Sequence, residues 1–246
     1  MTTTFPTILA GLLRSDPGRP LVTFYDDATG ERVELSVATY ANWVAKASSL
    51  LVEEHGLERG GSLRVDLPTH WLGPVFLGAA WNVGLAVTTG EHPDAVVCGP
   101  ATLDTWAEHA AQLPVLACAL RPLGVRFAEP LPAGVHDVGV DIWSQPDSFL
   151  AYDPPTPEDV ATDFPQGRVQ QAQLWTTAAA GALISGGGRL LTEANPASPP
   201  GVATFTEPLV KGGSLVLVAN ADPERLEGTY AAERATARFP RGHGQD

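Results

Sequence analysis

Lysine is almost missing from this chain of 246 residues: only Lys46 and Lys211 occur, and the arginines are scattered along the sequence. The formal net charge of −13 argues against nucleic acid as a partner, because binding a polyanion depends on clustered Lys and Arg displacing counterions. An anionic membrane surface is disfavoured for the same reason. Cysteine is equally scarce. Cys98 in "AVVCG" and Cys118 in "VLACAL" sit inside apolar runs, which reads as buried thiols in a reducing compartment rather than a disulfide framework. No G-x-S-x-G, C-x-x-C or H-E-x-x-H motif occurs. The histidines His55, His70, His92, His109, His136 and His243 are dispersed without ligand-type spacing, so no metal site is expected. The first residues, "MTTTFPTILAGLLR", lack the basic start and long apolar core of a signal peptide. The one long apolar run, "WLGPVFLGAAWNVGLAV" (71–87), is short for a span and is interrupted by Pro74, Asn82 and three glycines. It reads as a buried helix feeding a buried strand, and the expectation is a cytoplasmic chain with no membrane segment.

What is present suits a packed α/β protein. Apolar residues make up 44% of the chain and charged residues 17%, enough for a substantial core. "FPTILAGLLR" predicts a short amphipathic helix, and "PLVTFYDD-ATG-ERVELS" predicts a β-hairpin about Gly30. Ser36 is placed to cap a long helix whose apolar positions Val37, Tyr40, Val44, Ala47 and Leu51 recur at three- and four-residue spacing, with Gly56 as its C-terminal stop. Strands at "SLRVD", "LAVTT", "DAVVCG" and "PVLACAL" then alternate with helices at "HWLGPVFLGAAWNVG" and "LDTWAEHAAQL". That alternation predicts βαβ units and mainly parallel sheets flanked by helices.

Prolines and glycines blur the pattern from Arg121 to Phe164. The expected division is a first α/β subdomain over 1–152, a stiff Pro-rich connection over 153–165, a second, smaller α/β segment over 166–240, and a frayed tail over 241–246. Within the second segment the readings are a helix at "RVQQAQLWTTAAAGALIS", a strand at "RLLT", a helix at "VATFTEPLVKGG", a strand at "SLVLV" and a helix at "DPERLEGTYAAERA". The tail is expected to be irregular from "RFP" onward.

The glycines of "ISGGGRL" (184–190) raise the question of a phosphate cradle. Such a cradle is followed by a helix whose free N–H groups face the anion, commonly with a Lys or hydroxyls nearby. Here the glycines follow a helix and precede a strand, so they read as a helix C-cap and turn.

Four stretches carry a resemblance to a known family: "VELSVATYANWVAKASSLLVEEHGLERGGSLRVDLP", "FLGAAWNVGLAVT", "TPEDVA" and "GGGRLLTEANPASPPGVATFTEPLVKGGSLVLVANADPERLEGTYAAERAT". In this order they resemble the amino-terminal part of the adenylate-forming superfamily, which comprises acyl-CoA synthetases, luciferases and peptide-synthetase adenylation domains. "VDLPTHW" and "RPLGVRFAEPLPAG" are similar to a narrower group of shortened actinobacterial relatives. The resemblance implies a Ser/Thr/Gly-rich phosphate loop ending in Pro-Lys after "TPEDVA". This chain has "TDFPQGRVQQAQ" instead, with no lysine and no hydroxyl cluster. The family's later adenine, ribose and catalytic-lysine motifs have no counterpart either. Acyl adenylation rests largely on charge stabilisation at phosphorus, where each lost donor costs about 2–4 kcal/mol. The resemblance therefore implies that ATP and Mg binding are lost, that no other cofactor is held, and that this chain alone does not form acyl-adenylates.

Two local groups remain as candidates. Thr69, His70 and Trp71 lie just past a parallel strand, where open α/β sheets place ligands, and offer a hydroxyl, an imidazole and an aromatic face. The plainer reading is a helix cap with Trp71 in the core. Arg168, with Gln166 and Gly167, stands where the family's phosphate loop would be. Asp137 and Asp141 are spaced to share one strand face, which reads as a solvated face. Trp43, Trp81, Trp106, Trp143 and Trp175 read as core. Three functions follow: a shortened, non-catalytic binding or interaction module; an enzyme with a re-purposed pocket at His70 for acyl, thioester or other small-molecule chemistry; or one part of an assembled ligase, with a second copy or another protein covering an exposed edge.

Overall fold

In the computed structural model, which describes residues 3–240, the alternating strand and helix signals resolve into two mainly parallel sheets. The chain begins with α1 (Phe5–Ser15), the hairpin strands β1 (Pro20–Asp26) and β2 (Glu31–Ser36), and α2 (Val37–Ser49), which runs on into a π-helical turn at Leu50–Glu54. There follow β3 (Ser62–Asp66), α3 (Leu72–Val83), β4 (Ala86–Thr88), β5 (Ala95–Cys98), α4 (Leu103–Ala107) and β6 (Val115–Ala117). β7 (Val135–Asp137) and α5 (Val138–Asp141) precede β8 (Val160–Phe164), β9 (Gly167–Gln170) and α6 (Gln171–Ala180). The last elements are β10 (Arg189–Thr192), α7 (Val202–Val210), β11 (Ser214–Ala219), α8 (Pro223–Ala232) and β12 (Ala237–Phe239).

The chain forms two compact units, one per sheet. The first comprises Met1–Pro6, Ala41–Leu67 and Val75–Ala172. Its seven strands run β7-β6-β5-β3-β4-β8-β9, every neighbouring pair parallel except the terminal β8–β9 hairpin. Parallel strands are covered on both faces and so read as unbroken apolar runs; β5 and β6 are buried at every position. Trp106 packs with Val96, Cys98, Val115 and Ala117 in one cluster. Trp81 is fully buried, its ring 6.1 Å from Phe5 and its indole N–H donating to the Ala161 carbonyl at 2.9 Å. Gln171, also fully buried, accepts from the Phe5 amide and donates to the Trp81 carbonyl, both at 2.9 Å.

The second unit comprises Thr7–Tyr40, Pro68–Pro74 and Gln173–Asp246. Its sheet runs β12-β10-β11-β1-β2, parallel except for the β1–β2 hairpin. β11 is buried along its whole length. Ser36 caps α2 through its hydroxyl, which accepts from the Thr39 amide at 3.1 Å, and Gly30 takes the positive φ of 77° that the hairpin turn requires. The "ISGGGRL" segment is a turn between α6 and β10. Gly187 has φ 71°, its amide donates to the Lys211 carbonyl at 2.8 Å, and the Gly188 amide closes back on Ser185 at 3.0 Å. The opposing Gly213 is required by proximity, since a Cβ there would stand 2.3 Å from the Gly188 carbonyl oxygen.

Several expectations are corrected. The segment 153–165 is not a connection between units: its Val160–Phe164 stretch is β8, which buries Ala161 and Thr162 beside β4 and belongs to the first unit. The units are discontinuous in sequence and exchange at 172/173 rather than at 152 or 166. The helix read from Arg168 starts only at Gln171, because Gly167–Gln170 pairs antiparallel with β8. α4 is a little over one turn, followed by turns rather than helix. "RFP" is not frayed as far as Phe239, since Ala237–Phe239 pairs with β10; the tail at 241–246 lies outside the described residues. Asp137 and Asp141 do not share a strand face: Asp137 ends β7 and caps α5, accepting from the Gly139 and Phe127 amides at 2.9 Å. Trp143 is 54% exposed, edge-on to Trp43, rather than core.

Glu233, just beyond α8, ties three elements of the second unit together. Tyr25 of β1 and Arg189 of β10 donate to its carboxylate, and Arg32 of β2 joins at 3.0 Å. Arg189 also donates to the Thr23 hydroxyl at 2.8 Å and the Ser214 hydroxyl at 3.1 Å. Burial alone pushes the Glu233 carboxyl upward, but the hydrogen bonds from Tyr25, Arg189 and Arg32 outweigh it and hold the group below the usual glutamate range. A depressed carboxyl contributes stability above its unfolded pKa of ~4.3 that is lost as pH falls through the folded value. Glu233→Gln is expected to lower unfolding stability near neutral pH by about 2–3 kcal/mol and to flatten the acid limb below that range. Urea titrations of both proteins across pH would check this.

Candidate functional site

Both sheets have a point where the chain reverses its direction of travel across the strands, and open α/β sheets hold ligands outside the carboxyl ends of the strands at such points. In the first unit it falls between β3 and β5, since the path goes from β3 to β4 on one side and from β5 to β6 and β7 on the other. Asp66 ends β3 beside Cys98 of β5. Its carboxylate accepts from the Trp106 indole N–H at 2.6 Å and lies 3.6 Å from Arg64. The Arg64 guanidinium sits 5.1 Å over the Trp106 ring and donates to the Thr89 and Gly90 carbonyls. Thr102 donates to the Asp66 carbonyl. The chemistry-bearing groups at this point are thus bonded to one another. Sequence reading missed the cluster because Arg64, Asp66 and Trp106 lie on separate elements and form no motif.

In the second unit the reversal lies between β10 and β11. Thr192 accepts from the Ala194 amide at 3.0 Å, Glu193 pairs with Arg238 at 2.8 Å, and Asn220 donates to Asp26 at 2.8 Å. The Asp26 carboxylate also accepts from the Ala28 amide and the Thr29 hydroxyl at 3.0 Å. Burial opposes ionisation of Asp26, but these hydrogen bonds prevail and hold its carboxyl below the ordinary range. Here too the polar groups serve turns and ion pairs.

Thr69, His70 and Trp71 are brought together in this second unit. Thr69 donates to the Glu193 carbonyl over a long 3.4 Å, and Trp71 is 1% exposed with its ring 5.5 Å from that of His70. His70 is 4% exposed and lies edge-on to Phe24 at 4.8 Å. Its Nδ1 accepts the Leu72 amide at 3.2 Å, satisfying the first N–H of α3. Burial pushes the imidazole pKa down to about 4, against a small opposing pull from Asp26. At neutral pH the ring is uncharged, and with Nδ1 accepting, its proton sits on Nε2. It can therefore donate a hydrogen bond from Nε2 but has no free lone pair with which to act as a general base. Arg168 belongs to the other unit. It lies on β9, largely exposed, with Nε donating to Asp163 at 2.9 Å.

Among the described residues no group of three or more His, Cys, Asp or Glu is placed to hold a metal ion, and no helix is long and apolar enough to cross a membrane. Cys98 and Cys118 are free and buried, and burial pushes the Cys98 thiol up to about 12.

This α/β fold matches that of the amino-terminal domain of acyl-CoA synthetases. The crystal structure of a Brucella canis acyl-CoA synthetase matches with a TM-score of 0.80 at 16% identity over 97% of this chain and 47% of that one. A Mycobacterium tuberculosis fatty acyl CoA synthetase matches with a TM-score of 0.71 at 12% identity over 94% of this chain and 48% of that one. The chain thus spans about half the length of these enzymes, and at such identities the likeness is one of fold. No protein-family model matches the sequence. A curated Mycobacterium tuberculosis protein, described as a TIGR03089 family protein, is 34% identical over 249 residues, covering 95% of this chain and 98% of that protein. This chain belongs to the TIGR03089 family.

One buried histidine, His70, and one half-buried histidine, His55, set a pH dependence. His70 and His55 both titrate near 4 in the fold, His55 through burial and the neighbouring His136, against ~6.5 when unfolded. Between these values the unfolded chain binds more protons, so stability is full above ~6.5 and is lost as pH falls toward the folded values. His70→Gln is expected to reduce the slope of unfolding free energy against pH, measured near pH ~5, by about 1.4 kcal/mol per unit.

Proposed function

We propose that this chain is a non-catalytic relative of acyl-CoA synthetases that acts as a binding or interaction module. The observation that supports this reading most is the β8–β9 hairpin. Where the family resemblance calls for a phosphate loop, Phe164 pairs directly with Gly167 across the two-residue turn Pro165–Gln166. A cradle for phosphates needs several successive free N–H groups and a cation. This turn carries a proline, which has no N–H, it is only two residues long between the paired Phe164 and Gly167, and Arg168 is paired with Asp163.

The lysines are also committed elsewhere. Lys46 donates to the Gln145 carbonyl and pairs with Asp147 at 3.0 Å. Lys211 donates to the Gly181 and Ile184 carbonyls and pairs with Glu207 at 3.3 Å. On this reading ATP and Mg are not bound, and the self-satisfied reversal points of both sheets fit a structural rather than a ligand-holding role. Two free, buried thiols fit a reducing, cytoplasmic setting. The partner is a protein, which distinguishes this module from one part of an assembled ligase only by what it binds.

The test is carboxylate-dependent ATP–pyrophosphate exchange by the purified chain with short, medium and long acyl acids, alongside calorimetric titration with magnesium-ATP. Exchange at background and no saturable heat are expected. Tight magnesium-dependent ATP binding, abolished by Arg168→Ala, would sink the proposal.

A further inference from the structure

Resting on the reading of this chain as an interaction module, we infer that residues 148–152 and the cavity beneath them receive an aliphatic segment carrying Lys or Arg from another protein. The cavity, about 290 Å³, lies wholly within the first unit and is lined by Val52, Leu57, Val83, Phe149, Ala151 and Tyr152 among others. Its upper wall is a segment with unusual exposure: Leu150 is 95% and Tyr152 105% exposed, while Phe149 and Ala151 between them turn toward the cavity. Among the described residues, the backbone of 146–155 forms no backbone–backbone hydrogen bond. The segment is held at its ends by ion pairs instead, Lys46–Asp147 and Arg59–Asp153, both at 3.0 Å. Exposed apolar side chains beside a partly filled apolar cavity, on a strap whose amides and carbonyls are unpaired, mark a surface that gains contacts when covered.

Charge selects the occupant. Glu53, Glu58 and Asp153 also line the cavity, and its single cation, Arg59, is already spent on Asp159 at 2.8 Å and on Asp153. The lining thus carries one guanidinium and three carboxylates. A lipid surface or nucleic acid, both anionic, is repelled, and so is a second copy of a chain with net charge −13. An aliphatic segment with cationic side chains satisfies both the apolar floor and the acidic rim.

The probe is a fluorescein-labelled peptide alternating leucine and lysine, titrated by anisotropy against the full chain, with the same peptide bearing glutamate in place of lysine beside it. Saturable binding of the lysine peptide is expected, weakened by sodium chloride, with affinity reduced about tenfold by Leu150→Ser plus Tyr152→Ser, a loss typical of truncated apolar anchors. Both side chains are solvent-exposed, so the variant keeps its fold, which circular dichroism verifies. Equal binding of wild type and variant would reduce the effect to bulk charge attraction and overturn the inference. Equal binding of the glutamate peptide, or no saturable binding, overturns it too. Sedimentation showing a wild-type dimer that the variant dissolves would assign the surface to a second copy instead. Each of these failures leaves the absence of adenylation untouched, because that is read by pyrophosphate exchange.

Discussion

A parallel strand cannot reach its neighbour through a tight turn; the chain must cross over the sheet and come back in the same direction, and the sheet must be covered on both faces. Most of this molecule follows from that requirement. It makes β5, β6 and β11 buried at every position and almost wholly apolar, and places α3, α4, α7 and α8 between successive strands. It also sends every parallel strand's carboxyl end to one edge of its sheet, where loops are free to vary. The two antiparallel excursions, β1–β2 and β8–β9, stand at sheet edges, the positions from which a strand can be added by a turn without disturbing a crossover.

The second of these hairpins is the one on which the proposed function rests. β9 is the last strand of its sheet, and Phe164 faces Gly167 directly across the turn, so the backbone here closes a hairpin in which every second β9 amide points into the ladder. A glycine with φ 129° ends the turn, so the conformational freedom that elsewhere lets backbone wrap a phosphate here serves a strand reversal. Arg168 and Asp163, opposite one another in the hairpin, close as a pair. Cross-strand opposite charges stabilise a hairpin modestly, and the same contact takes the nearest cation out of play.

Much of the fold was legible in the sequence because its signals are local. The hairpin about Gly30, the Ser36 cap, the Gly56 stop, the alternation of β3 and the apolar runs of β5, β6, β10 and β11 each depend on residues within a turn or two of each other. What was misread depended on neighbours distant in sequence. "DVATDFP" looks like a proline-bounded linker until β4 is beside it, when Ala161 and Thr162 find a wall to bury against. "GRVQ" alternates too briefly to compete with the helical pattern that follows, and becomes a strand only because β8 offers it an edge. The two-unit division could not be drawn as a cut, since the chain passes between units five times. Of the candidate site, the triple Thr69–His70–Trp71 was visible as residues, but the use of the His70 Nδ1 on the Leu72 amide is a fact of geometry that no spacing encodes.

The charges follow the same logic. A chain with two lysines and a net charge of −13 carries an acidic surplus, and the structure spends several of its cations on its own carbonyls and carboxylates: Lys46, Arg59, Lys211, Arg189 and Arg238 each close an internal contact. Holding a nucleotide's phosphates requires cations left unpaired in the fold, because each one already matched must first break a bond of comparable strength. The fold of acyl-CoA synthetases is kept here at 16% identity, so the placing of these cations is a property of this sequence and not of the fold. The acidic surplus is then left on the surface, where it repels anions and favours partners of opposite sign. The chemistry open to such a molecule is set less by the fold it shares than by which of its few positive groups remain free.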